Sequence, residues 1–198
     1  MSALSSAGSE ISYCLVTSGD AGDDDLTRSN EELAALREEE QTAAALAVGV
    51  SDLHWLRYAD GRVENNLLLR RDITRIIRKV RPDVVVTQPT SANWDRIYGS
   101  HPDHLATAWA TMAAVYPDAR NPRSHPELLE AGYQPHLVPE VWMMWMAAPE
   151  GTMMHVDITA TFEEKVKALR CHASQTDRID GLEALLHEWA SGVASSAD

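Results

Sequence analysis

Residues 65 to 87 read NNLLLRRDITRIIRKVRPDVVVT. Within this stretch Leu69, Ile73, Ile76, Ile77 and Val80 fall at i, i+4, i+7, i+8 and i+11, which lines up one apolar face of a helix over 65 to 80. Pro82 has no N–H to continue that helix and disfavours helical geometry at Arg81, so the helix stops there. Residues 83 to 87 (DVVVT) then form a short strand with an apolar centre, the pattern of a strand covered on both faces in a parallel sheet. A helix that delivers the chain straight into such a strand is part of a β-α-β crossover.

The same alternation extends in both directions. Upstream, residues 53 to 58 (LHWLRY) read as a strand closed by Asp60-Gly61. Before it lies a long helix, capped by Ser29 or Asn30, with Glu31 and Glu32 in its first turn, an apolar stripe of Leu33, Leu36, Ala43, Ala44 and Val48, and a stop at Gly49. Residues 11 to 17 (ISYCLVT) form a strand that runs into Ser18-Gly19-Asp20-Ala21-Gly22.

Downstream, the 13-residue loop 88 to 100 leads into a helix over about 102 to 115. A Pro-rich excursion (117 to 139), a strand at 140 to 146 (EVWMMWM) and helices near 160 to 172 and 180 to 191 follow. The prediction is an α/β domain with a mostly parallel sheet over 11 to 192, preceded by a polar leader (1 to 10) and followed by a polar tail (193 to 198). Ligands of such sheets gather beyond the carboxyl ends of the strands, which nominates the segments after Thr17, Tyr58 and Thr87.

Composition narrows the function classes. The chain has 198 residues, 17 basic and 30 acidic, for a formal net charge of −13. With no cluster of Lys and Arg large enough to track phosphates, a nucleic-acid partner is not expected. No stretch approaches the ~20 consecutive apolar residues of a membrane span, and residues 1 to 10 lack the features of a secretory signal, so a cytoplasmic protein without a membrane partner is expected. Cys14 and Cys171 lie far apart and read as reduced, packed thiols.

The segment richest in chemistry is His101-Pro102-Asp103-His104, where the long loop enters a helix. Pro102 suits the first helical position and Asp103 the positive end of the helix dipole. Two imidazoles three residues apart share one side of the first turn, where neutral imidazole can bind zinc and a neighbour can stabilise developing charge. With eight histidines in the chain, chance alone supplies roughly 0.3 such pairs, so the spacing decides little. Its position behind a long loop and a buried strand carries more weight.

Around this pair the chain resembles the PIG-L/LmbE-like de-N-acetylases, zinc hydrolases that remove acyl groups from amino sugars and related amides. The resemblance runs from residue 11 onward through six pieces in the family's order: Ser18-Gly19-Asp20-Ala21-Gly22; Arg37-x-x-Glu40 ahead of Val48-Gly49-Val50; Tyr58-Ala59-Asp60-Gly61; Arg81-Pro82-Asp83-Val84-Val85-Val86; His101-Pro102-Asp103-His104; and His172-Ala173-Ser174-Gln175. It implies a Rossmann-like three-layer α/β sandwich. It also implies His104 as a ligand of a catalytic Zn2+, His101 as the imidazolium that offsets oxyanion charge, and Asp103 as the residue that orients it. Arg37 and Asp60 match positions that contact the sugar, and Tyr98 lies near a family tyrosine that assists the leaving group, although three residues before His101 rather than two.

One departure is large. Family members open with a strand ending in His-Pro-Asp-Asp, which supplies two zinc ligands and a general base, and this chain has no such motif; His125-Pro126-Glu127 lacks the acidic pair. One imidazole does not replace the three protein ligands of a catalytic zinc, so impaired hydrolysis by this N-terminally short form is expected. A missing interior strand also leaves backbone groups unpaired, which favours self-association into a homo-oligomer.

Among the remaining candidates, Asp20, Asp23, Asp24 and Asp25 read mainly as a solvated loop and helix start. Trp94, Arg96 and Tyr98 are equally open to a sugar platform or loop packing. His54 and His187 read as structural. The functional expectation is a zinc-dependent amide hydrolase for a small amino-sugar or amide substrate, and the rival is a non-catalytic α/β binding or self-assembly module.

Overall fold

The computed structural model describes residues 1–144 and 153–195; the end of the strand expected at 140 to 146 and positions 196 to 198 of the tail lie outside the described residues. In chain order the elements are α1 (Ser2–Ser6), β1 (Ser12–Thr17), α2 (Asn30–Ala47), β2 (Asp52–Tyr58), α3 (Leu67–Val80), β3 (Val84–Thr87), α4 (Pro102–Ala113), α5 (Pro126–Glu130), β4 (Glu140–Met143), α6 (Phe162–Arg170), α7 (Ala173–Thr176) and α8 (Leu182–Ala194). The expected α/β alternation is present. β1 pairs with β2, and β3 pairs in parallel with β4, Val84 lying opposite Glu140 and Thr87 opposite Met143. The described strands thus form two two-stranded sheets.

The chain packs as two compact units interleaved in sequence. One comprises residues 14–17 and 54–145, and its core is built on α3. The Asn66 side chain accepts the Leu69 N–H at 3.0 Å, so α3 begins two residues later than its periodicity alone suggests. Its far end closes with Arg81 in left-handed geometry, φ 58° and ψ 51°, immediately before Pro82. Leu69, Ile73 and Ile77 are buried against Ala110, Ala114, Val115 and Ala119, with Val16, Leu56, Val85 and Val141 packed around them. The small alanine side chains on α4 allow it to approach α3 closely.

The segment after α4 is held from α3 by arginines. The buried Arg78 guanidinium donates to the carbonyls of Ala119 (3.2 Å) and of Asp118, Asn121 and Ser124 (2.9 to 3.0 Å). Burial lowers its pKa, and the nearby Asp118 opposes that shift. Arg70 forks onto both carboxylate oxygens of Asp118, at 3.0 and 2.9 Å.

The other unit comprises residues 1–13, 18–53 and 146–198. Ser29 caps α2 as expected, accepting the Glu32 N–H at 3.2 Å while Glu32 accepts the Ser29 N–H at 2.8 Å, a reciprocal capping box. α6 packs on α2, and Phe162, Val166, Leu182 and Leu186 form a small core on which the His187 ring stacks, 4.0 Å from that of Phe162. Residues 2 to 6 of the expected polar leader are helical, and Ser5 Oγ donates to the Gly49 carbonyl at 3.2 Å. Gly49, at φ +80°, must remain glycine because a Cβ there would run into the Ser5 side chain. Among the described residues no helix is long and apolar enough to cross a membrane.

Candidate active site

The site is assembled where β2 and the 88 to 100 loop hand over to helical structure. Beyond Tyr58 the chain turns tightly: Arg62 N–H donates to the Ala59 carbonyl at 3.2 Å and Gly61 takes φ +76°, a conformation that favours glycine. The loop ahead of α4 carries a 3-10 turn, Trp94–Gly99, whose base is tied by the Asn93 N–H donating to the buried Ser100 Oγ at 2.7 Å. His101 follows as the N-cap of α4, Pro102 occupies the first turn, and the His101 carbonyl accepts from the N–H groups of His104 and Leu105.

His101 and His104 therefore project from one side of the helix start, their ring centroids 5.6 Å apart and the planes tilted by 54°. Asp103 lies between them in sequence but points inward, with 5% of its surface exposed. Its Oδ2 accepts the Gly61 N–H at 2.7 Å and its Oδ1 the Val63 N–H at 3.2 Å. The link between residues 103 and 101 runs through the main chain: the Asp103 N–H donates to His101 Nδ1 at 3.3 Å. With Nδ1 accepting, a neutral ring carries its proton on Nε2.

The pKa of His104 is lowered from the ordinary imidazole value of 6.5, first by its partial removal from water and then by the neighbouring His101, against the opposing pull of Asp103 and Asp60. This part of the chain thus offers two imidazoles at one helix start, with the Asp60-Gly61 turn tied to it through Asp103. It can donate a hydrogen bond to a carbonyl oxygen and accept hydrogen bonds from hydroxyls.

Zinc chemistry requires more than one imidazole. Among the described residues no group of three His, Cys, Asp or Glu side chains could hold a metal ion, so the residues described do not complete a catalytic zinc site around His104.

Arg37, on α2, is buried with 8% exposure; its Nη2 donates to the Gly22 carbonyl at 2.9 Å and its Cγ packs beside Gly19. Tyr98 lies on the Trp94–Gly99 turn, and its side chain, like that of Arg96, is outside the described residues. Trp94 on the same turn is 84% exposed. Of the acidic run, Asp23 accepts the Asp25 N–H and pairs with Arg28 at 3.4 Å and with the distant Arg178 at 3.5 Å, while Asp25 accepts the N–H and hydroxyl of Thr27 in a local turn that leads into α2.

Two connections escaped the sequence. The Asp103 contacts to Gly61 and Val63 span about forty positions, and only the inward-facing helical position of the aspartate hints at them. Likewise Glu40 accepts from the Ser174 N–H at 2.7 Å and the Ser174 hydroxyl at 2.8 Å, joining the Arg37-x-x-Glu40 and His172-Ala173-Ser174-Gln175 pieces. The adjacent His172 Nδ1 is buried without a partner among the described residues.

Comparison with known proteins puts these features in a family. The chain is 33% identical over 172 residues to a diacetylchitobiose deacetylase of Thermococcus kodakarensis, with 87% of this chain aligned, and it spans 61% of that relative's length. It is 32% identical to a 1D-myo-inositol 2-acetamido-2-deoxy-alpha-D-glucopyranoside deacetylase of Saccharopolyspora erythraea, over 91% of this chain and 78% of the relative. The structure of an N,N'-diacetylchitobiose deacetylase from Pyrococcus horikoshii superposes with a TM-score of 0.82 at 31% identity, covering 93% of this chain and 67% of the other. A 4-carboxy-2-hydroxymuconate hydratase from Pseudomonas putida shares the fold at a TM-score of 0.75 but only 17% identity, covering 98% of this chain and 75% of the other. The family model described as PIG-L, GlcNAc-PI de-N-acetylase, matches residues 1–115, a span that includes both the turn at Asp60-Gly61 and the paired histidines, and on that match and these relatives the chain belongs to the PIG-L family.

Proposed function

We propose that this protein is an amide hydrolase of the de-N-acetylase type that acts on an N-acetylated amino sugar or a related conjugate. The observation that carries the reading is the imidazole pair of His101 and His104 at the start of α4, their centroids 5.6 Å apart, with the Asp60 carboxylate acting on His104. The family membership and the deacetylase names of the relatives support the same class.

In this reading water cleaves an acetamide to acetate and an amine, its oxygen going to the acetate and a proton to the amine, and the chain's residues bind, orient and balance charge. His101 donates its Nε2–H to the carbonyl oxygen as that oxygen gains negative charge, and the Asp103 main chain holds the ring in that orientation. Asp60 accepts hydrogen bonds from sugar hydroxyls. Arg37 and Tyr98 are assigned to substrate contact by their motif positions, and His104 to a zinc ion. Since the described residues offer no group of three ligands, no part of this chemistry is routed through the metal, and slow turnover by these 198 residues alone is part of the proposal.

The test is acetate release from N-acetylglucosamine derivatives with zinc added, together with the zinc content of the purified protein. Slow release that is lost in His101→Ala, and substoichiometric zinc that disappears in His104→Ala, are expected; rapid turnover unaffected by either substitution would overturn the assignment. The lack of a three-ligand group among the described residues also favours a second reading, a non-catalytic sugar-binding or self-associating module. That reading predicts metal-free protein that binds the sugar and releases no acetate.

A further inference from the structure

We propose that Asp103 is a positioning residue for the opposite side of the site: its carboxylate is the strut that fixes the Asp60-Gly61 turn of β2's exit against the start of α4, so that Asp60 is presented beside His104. The inference rests on the reading of this site as a sugar-amide site for its functional consequence, but its geometric content stands independently.

The Gly61 nitrogen belongs to the peptide plane that begins at Asp60. A 2.7 Å hydrogen bond from its N–H to Asp103 Oδ2 therefore fixes the plane from which Asp60 departs. Two residues later the Val63 N–H donates to the other oxygen, at 3.2 Å, and the Val63 side chain is itself buried in the core. The turn is held at one end by apolar packing, across its tip by the Arg62 N–H on the Ala59 carbonyl, and against α4 by the Asp103 carboxylate. Gly61 contributes no side chain and a Cβ there would touch nothing, so packing does not restrain that part of the turn.

Asp103 is 5% exposed and sits in the first turn of α4, where the helix dipole also favours negative charge. Its own N–H meanwhile holds the His101 ring. One residue thus ties both sides of the site, His101 through its main chain and Asp60 through its side chain. Asp60 also opposes the downward shift that burial imposes on the His104 pKa.

Asp103→Asn separates the two functions. The amide keeps one oxygen acceptor but puts an NH2 where the second oxygen stood, so one of the two turn N–H groups loses its partner while the main-chain contact to His101 survives. The first measurement uses the full 198-residue chain without ligand. Asp60→Asn is expected to shift the NMR signals of the His104 ring in the otherwise native protein and to shift them much less in the Asp103→Asn background. Amide hydrogen exchange at Gly61 and Val63 should be faster in Asp103→Asn.

The second measurement is affinity for N,N'-diacetylchitobiose. Asp103→Asn and Asp60→Asn should each weaken it by about tenfold, and the double variant should lose no more than the weaker single, the non-additivity of residues acting as one unit. Thr111→Ala, a buried polar substitution elsewhere on α4, should leave affinity unchanged. Unchanged exchange at Gly61 and Val63, or an Asp60→Asn effect on His104 equally large in both backgrounds, would overturn the proposal. A native protein that binds no sugar but keeps the coupled His104 response would sink the functional reading and leave the strut standing.

Discussion

A half-buried imidazole whose buried ring nitrogen lacks a partner is under electrostatic pressure to stay neutral. His172 is such a group: burial lowers its pKa from 6.5, Arg37 adds to the shift and Glu40 opposes it. The unfolded chain, with its ordinary imidazole, binds the proton more readily, so His172 contributes stability that is present above pH ~6.5 and is lost as the pH falls through its lower folded value. Thermal melts between pH 8 and pH 5 should show the native protein losing stability on acidification more steeply than His172→Gln; equal slopes would contradict this account. The sequence exposes such residues unevenly. The His101 and His104 pair was legible because three-residue spacing on a helix brings side chains together, whereas the partners of Asp103 and Glu40 lie 40 and 134 positions away and depend on tertiary packing alone. Arg37 was legible as a motif position, but its burial beneath the Gly19 to Gly22 loop was not.

Elements were easier to read than their contacts, because periodicity and capping are local. α2 begins where Ser29 and Glu32 said it would, and its capping box gives a direct test: Ser29→Ala should lower stability by ~1 kcal/mol in denaturant titration, and no loss would mean the cap is idle. α3 carries more. Leu69 is fully buried on the face that meets α4, and Leu69→Ala should cost ~2 to 5 kcal/mol, read from the unfolding midpoint. Arg78 lies on a different side of the same helix, where it is buried as an ion rather than a hydrophobe. Arg78→Ala removes the donor for four carbonyls and should cost ~3 kcal/mol, whereas a loss below ~1 kcal/mol would show that water replaces the guanidinium. That role was hidden in the sequence, where an arginine near a helix end reads as a dipole partner. The extent of the parallel sheet was also not legible: the described strands divide into two pairs, since strand neighbours depend on contacts that no local pattern encodes.

At the scale of the whole molecule, fold and chemistry separate. The same architecture appears in a hydratase at 17% identity, so the fold alone does not select a reaction. The proposed reaction rests instead on the small region where the turn after β2 meets the start of α4, and on relatives above 30% identity that are named as deacetylases. That region is open to direct observation. The imidazole signals of the 198-residue chain, followed by NMR as N,N'-diacetylchitobiose is added with and without zinc, report on the two rings individually. The account predicts saturable shifts at His101 and His104 while the stacked ring of His187 and that of His136, bonded to the Pro82 carbonyl, stay in place. Shifts confined to other histidines, or none at the α4 pair at saturating sugar and zinc, would contradict it.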